Sequence, residues 1–241
     1  MHLNFQSVTV RLRRTPARRL VSVAALLLLL FVGSPRLEAA ERGQTVLVVG
    51  DSLSAAFGIA QEESWVALLG ERLRAKGYGY RVVNASITGD TTTGGVKRLP
   101  RALEVHQPAV VVIELGGNDG LRGTPIAVMR ANLARMIELS RAAGARVVLA
   151  GMQIPTNYGG PYTRAFAAVY PELAQQYGIG LVPFILDGIA LDISLFQADG
   201  IHPTAEAQQL LLDNVWPVLE KELKAIPPGL QPVASPGTAP R

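Results

Sequence analysis

Cysteine is absent from this chain of 241 residues. That excludes a disulfide framework, a thiol nucleophile, a cysteine-ligated metal centre and a lipid-modified cysteine. Histidine is nearly as scarce, and the three present are His2, His106 and His202. Few imidazoles means few candidates for a general base near neutral pH. A phosphate-cradling loop is missing as well. No Gly-x-Gly-x-x-Gly and no Walker sequence follows the first strand-like run, which argues against a nucleotide-binding module. Neither an internal repeat nor a second domain is visible.

Excess charge also disappears once the N-terminus is set aside. The whole chain has 23 basic and 19 acidic residues. Six arginines and one glutamate, Glu38, fall within residues 1–40, and the remainder holds one more acid than base. The basic balance therefore belongs to the leader, and no electrostatic case for nucleic acid remains. Arg11, Arg13, Arg14, Arg18 and Arg19 precede the twelve-residue apolar run Val21 to Val32, and Ala39-Ala40 supply small residues beyond it. This is the layout of a secretory signal peptide cleaved after Ala39 or Ala40. Twelve residues at a rise of ~1.5 Å cover about 18 Å, short of the ~30 Å bilayer core. The expectation is a periplasmic or secreted protein with no stable membrane anchor after cleavage. Arg18-Arg19 is the only element of a twin-arginine signal present.

What is there is an alternation of strand-like and helix-like runs. Thr45 to Val49 is uninterrupted β-branched or aliphatic sequence, the pattern of a strand buried on both faces. Similar runs recur at Arg81–Asn84, Ala109–Leu115, Arg146–Ala150 and Leu181–Phe184, the last with a proline suited to an edge. Between them, helical spacing predicts helices over Glu62–Lys76, Gly94–Gln107, Pro125–Ala143, Tyr162–Tyr177 and Ala205–Lys224. Pro171 predicts a kink or break in the fourth of these. The alternation implies βαβ crossovers and an α/β, three-layer, flavodoxin-like sandwich with five parallel strands over residues 41–225. From Ile226 to Arg241, five prolines in sixteen residues read as a disordered tail. A domain of this size shows no need of a partner, so a monomer is expected.

Polar residues cluster at the strand ends: Gly50-Asp-Ser52, Ser86-Ile-Thr-Gly-Asp90 and Gly116-Gly-Asn-Asp119. Asp199-Gly-Ile-His-Pro203 precedes the last helix. In a parallel sheet the carboxyl ends of all strands open on one edge, so these segments can meet. Each has a plain structural explanation: Ser52 as a helix cap, Asp199-x-x-His202 as a cap before Pro203, Gly-Gly-Asn-Asp as a turn. Together they fit ester hydrolysis. Ser52 offers a hydroxyl. His2 is in the leader and His106 precedes the central strand, at the opposite edge, which leaves His202 as base. Asp199 can orient it. Ser52 N–H, Gly89 N–H and the Asn118 amide can meet an oxyanion. Asp51, Asp90 and Asp119 read as loop-shaping acids. They sit on three loops without histidine or glutamate partners, so no metal and no cofactor is expected.

Gly50-Asp-Ser-Leu53, Gly89, Gly116-Gly-Asn-Asp119 and Asp199-x-x-His202 follow, in order, the four blocks of the SGNH (GDSL) hydrolases, and the chain resembles that family from Thr45 to Leu223. It is most similar to the family's periplasmic, multifunctional esterases of proteobacteria. The resemblance implies a serine hydrolase with Ser52 as nucleophile, His202 as base and Asp199 as orienter. Ser52, Gly89 and Asn118 would form the oxyanion hole. It also implies an acyl groove beside loops 116–123 and 154–160, where Leu121, Ile154, Pro155 and Asn157 are the candidate lining. The implied substrates are small acyl esters and thioesters, with lysophospholipids among them. An acyltransferase using the same triad, a phosphate-binding flavodoxin-like module and a degenerate lipid carrier are the alternatives.

Overall fold

Strand β1, Thr45–Gly50, is buried along its whole length, as is β3, Val110–Glu114. Uninterrupted aliphatic sequence of this kind suits strands covered by helices on both faces. β2 (Arg81–Asn84), β4 (Arg146–Ala150) and β5 (Gly180–Val182) complete a sheet ordered β2-β1-β3-β4-β5, with every pairing parallel. This computed structural model describes residues 45–228 and Gln231. The expected leader, 1–40, and most of the expected tail, 226–241, lie outside the described residues.

Among the described residues, six helices surround the sheet: α1 (Trp65–Ala75), α2 (Thr92–His106), α3 (Gly117–Leu121), α4 (Ile126–Ala142), α5 (Gly160–Tyr177) and α6 (Gln208–Lys224). Ser64 and Thr91 cap α1 and α2 by accepting from the backbone N–H of Ala67 and Gly94. α1 packs with α6, and α4 packs with both α2 and α5. Helices thus lie on both sides, as the three-layer reading expects. On α4, Met129, Leu133, Met136 and Ile137 recur at helical spacing and are buried against the strands. Among the described residues no helix is long and apolar enough to cross a membrane.

The break expected at Pro171 is absent. α5 runs through it as one helix, anchored by buried Phe166, Tyr170, Leu173 and Ala174, and the Tyr170 hydroxyl donates to Leu115 O at 3.1 Å. Burial on both sides of the proline outweighs the one hydrogen bond it removes. Conversely, the Gly116–Gly120 turn is one turn of helix, α3. Glycines give it little intrinsic propensity. It is held from outside: Asp119 accepts from Thr92 N at 2.8 Å and Thr92 Oγ1 at 2.7 Å. β5 lies at the sheet edge as expected but stops at Val182, before Pro183.

The strand order reverses between β1 and β3. Open α/β sheets place their ligand crevice at such a point, beyond the carboxyl ends of the strands. Ser52 follows β1, and Asn118 follows β3.

Candidate active site

β1 stops at Gly50, and the chain turns at once. Ala55 N donates to Asp51 O at 3.0 Å, so Ser52 starts a single helical turn at the sheet edge. Asp51 Oδ1 accepts from Leu53 N at 3.1 Å and shapes the bend. Ser52 itself is half-buried, open enough to meet a ligand.

His202 arrives from the far end of the chain. Its Nε2 lies 2.9 Å from Ser52 Oγ, across 150 residues of sequence. Its Nδ1 lies 2.7 Å from Asp199 Oδ2. The Asp199 carboxylate also accepts from the backbone N–H of His202 at 3.0 Å and of Ile201 at 2.9 Å. The backbone bond from His202, followed by the imidazole and Ile201 bonds, holds its pKa down at about 2. An ionised carboxylate at Nδ1 places the ring proton there, which leaves the Nε2 lone pair for the serine hydroxyl. Gln197 fastens this loop to the serine loop: its N–H donates to His202 O at 2.8 Å, and its Nε2 to Phe57 O at 2.7 Å. Phe57 stacks on the imidazole with ring centroids 4.2 Å apart.

Gly89 sits in the loop after β2 with φ +76, a conformation that favours glycine. Ile87 N donates to Gly50 O at 3.1 Å, which draws this loop against the serine turn. Arg98 reinforces the contact. It donates to Ala85 O and to Gly50 O, and it pairs with Asp90 at 2.6 Å. Asn118 lies on α3, and its Nδ2 donates to Asp51 Oδ2 at 3.0 Å. An amide nitrogen has two hydrogens, so one remains for a ligand. Arg122, capping the same short helix, donates to Gly89 O at 3.0 Å.

The structure therefore brings Ser52, His202 and Asp199 into one hydrogen-bonded chain, and it ties the Gly89 and Asn118 segments to the serine turn. The four residues expected along an acyl groove separate into two kinds. Leu121 ends α3 and is partly exposed, and Ile154 is packed into the core with its Cγ2 against Gly120. Pro155 and Asn157 are exposed, at and within the 3-10 turn Thr156–Tyr158. His106 ends α2, away from this edge.

Asp51 and Glu114 form a second, unexpected feature. Burial pushes Asp51 up to about 6 despite its bonds from Leu53 and Asn118. Burial, reinforced by Asp51, pushes Glu114 well above the usual carboxyl range. The sequence carries a signal for Glu114: an acid within the otherwise aliphatic run Val110-Val-Val-Ile-Glu-Leu115. No comparable signal marked Gln197 or Arg122, which are ordinary surface residue types.

Residues 48–210 match the GDSL-like lipase/acylhydrolase family. The chain is 56% identical over 177 residues to an esterase, TesA, of Pseudomonas aeruginosa, covering 73% of this chain and 88% of that protein. It is 42% identical over 174 residues to thioesterase 1/protease 1/lysophospholipase L1 of Escherichia coli, covering 72% and 82%. Among solved structures it resembles the psychrotrophic esterase EstA from Pseudoalteromonas, inhibited by monoethylphosphonate. That likeness has a TM-score of 0.72 at 39% identity and covers 75% of this chain and 99% of that one. With its fold, its ordered motifs and these relatives in agreement, the chain belongs to the GDSL-like (SGNH) lipase/acylhydrolase family of carboxylic ester hydrolases.

Proposed function

We propose that the protein hydrolyses carboxylic esters and thioesters through an acyl-enzyme on Ser52. The observation that carries this reading is the continuous chain from Ser52 Oγ to His202 Nε2 at 2.9 Å and from His202 Nδ1 to Asp199 Oδ2 at 2.7 Å. His202 takes the Ser52 proton as Oγ attacks the acyl carbonyl. Asp199 holds the tautomer and stabilises the imidazolium that forms. The oxyanion forms against Ser52 N–H, Gly89 N–H and the free amide hydrogen of Asn118. His202 then protonates the departing alcohol or thiol. Water repeats the cycle on the acyl-enzyme and releases the acid.

Apolar side chains next to these groups suit an acyl substrate. Phe57 on the imidazole, Ile201 beside His202 and Leu121 on α3 are 41%, 52% and 38% exposed. The name of the Escherichia coli relative supports extending the substrate class to thioesters and lysophospholipids. All the proposed catalytic groups come from one chain, which supports action as a monomer. The arginine-rich leader supports export and cleavage, and with them a periplasmic or extracellular location.

A fluorophosphonate probe tests the nucleophile. The mature protein should be labelled at Ser52, and the Ser52→Ala protein should take up no label. Turnover of a chain-length series of p-nitrophenyl esters and acyl thioesters, ranked by kcat/KM, then defines the acyl preference. Near-normal hydrolysis by Ser52→Ala would sink the assignment.

A further inference from the structure

Glu114 ends β3 opposite Gly50 of β1 and is completely buried. The chemistry above does not use it, yet its surroundings are specific. Its Oε2 accepts the Ser54 hydroxyl at 2.7 Å and the Asp51 N–H at 3.3 Å. Ser54 Oγ in turn accepts the indole N–H of Trp65 at 3.2 Å. Gly50 leaves no gap between them: a Cβ there would stand 2.5 Å from Glu114 Oε2. One carboxyl oxygen thus holds residues 51 and 54, on either side of Ser52. The other oxygen, Oε1, is buried without a hydrogen-bond partner.

The groups facing this carboxyl decide its charge. Asp51, from the end of β1, is a second buried acid. Tyr170, from α5, spends its hydroxyl on Leu115 O. Arg98, from α2, is directed to Asp90, Ala85 O and Gly50 O. Asp119 of α3 is bonded to Thr92. No cation bonds Glu114 among the described residues. A buried anion with one oxygen unpartnered, next to another acid, costs far more than a neutral O–H without an acceptor. Asp51 has a donor on each oxygen and is the better place for the one negative charge.

We propose that Glu114 is a positioning residue for the nucleophile: as a neutral carboxylic acid it fastens Asp51 and Ser54 and so aims the Ser52 N–H and hydroxyl. The inference rests on Ser52 being the nucleophile. Glutamine reproduces the accepting oxygen without a titrating proton. Leucine fills similar space and accepts nothing.

Three proteins test it: wild type, Glu114→Gln and Glu114→Leu. For Glu114→Leu, kcat on a p-nitrophenyl ester should fall about 10- to 100-fold with KM nearly unchanged, since a misdirected nucleophile binds substrate but reacts slowly. Glu114→Gln should restore kcat to within about threefold of wild type, because it keeps the acceptor. The state of the acid is read separately, by thermal midpoint against pH. A carboxyl raised in the fold lends stability fully present below its unfolded pKa and lost as pH rises toward its folded value. The midpoint of Glu114→Gln minus that of wild type should therefore grow steadily above about pH 5. The proposal is overturned if glutamine is as damaging as leucine, or if the midpoint difference is flat or shrinks with pH. If the leucine variant does not fold, the glutamine kinetics and the pH series still decide. A wild-type protein that resists fluorophosphonate fails at the nucleophile itself, a result distinct from failure at Glu114.

Discussion

Asn118 and Asp51 are joined by an amide-to-carboxylate hydrogen bond of 3.0 Å between the helix after β3 and the turn after β1. The bond commits one amide hydrogen and directs the other. It also couples the aim of the Asn118 amide to the charge on Asp51, a buried acid whose pKa is pushed up to about 6. Removing the donor should cost more than loosening its support. Asn118→Ala is expected to lower kcat by about 10²–10³, the worth of one oxyanion donor. Asp51→Asn should lower it by less, since the amide stays in place without a fixed direction. Comparing the two by kcat at neutral pH checks this order. A larger loss for Asp51→Asn would show that Asp51 does more than orient Asn118.

Acid tolerance should distinguish the two aspartates. Asp199 is held down at about 2 by its bonds from His202 and Ile201, so its favourable contribution is present above the ordinary carboxyl range and is lost only as pH falls through about 2. Asp51 is raised, so it gains a proton as pH falls through about 6. Between pH 6 and pH 4 the loss of kcat in the wild type should therefore include an Asp51 contribution and none from Asp199. Asp199→Asn should be slow at every pH, by up to about 10⁴, the cost of the wrong imidazole tautomer in a serine triad. Its pH–rate profile, set beside that of Asp51→Asn, is the measurement.

Arg122 reaches from the end of α3 to Gly89 O at 3.0 Å and links two of the three expected oxyanion donors. The side chain is exposed, so its effect should be small. Arg122→Ala is expected to lower kcat by roughly 3- to 10-fold, with lysine restoring part of the loss, because a single point donor can replace one arm of a guanidinium. Unchanged kcat with raised KM would assign Arg122 to substrate binding instead.

Gly95 faces the crossing of α2 with α4. A Cβ there would meet Leu115 Cδ1 at 2.5 Å and Met136 Sδ at 2.8 Å, and both residues are completely buried. Alanine gains about 1 kcal/mol of helix propensity over glycine. Overpacking a closed core costs about 1–3 kcal/mol. The second effect should win, and urea denaturation of Gly95→Ala should show a net loss with an unchanged m-value.

Much of the sheet was legible because burial on both faces demands uninterrupted aliphatic runs, and Thr45–Val49 and Ala109–Leu115 have them. Element ends were less legible. α3 carries glycines that argue against a helix, and bonds from outside, of Asp119 to Thr92 and of Asn118 to Asp51, hold it. Pro171 argues for a break that the buried face of α5 prevents.

The site divides in the same way. Residue chemistry alone pointed to the proposed nucleophile, base and orienter, because a chain with three histidines, one in the expected leader and one at the wrong edge, leaves His202 as the candidate to serve Ser52. What only the tertiary structure decided is what surrounds them. The Asp51–Asn118 bond, the grip of Glu114 on Asp51 and Ser54, and the link from Arg122 to Gly89 join residues 33 to 67 positions apart. Sequence spacing carries no information about such contacts. They exist because β1 and β3 lie side by side in register, and because a buried polar group must find its partner among whatever packing brings within reach.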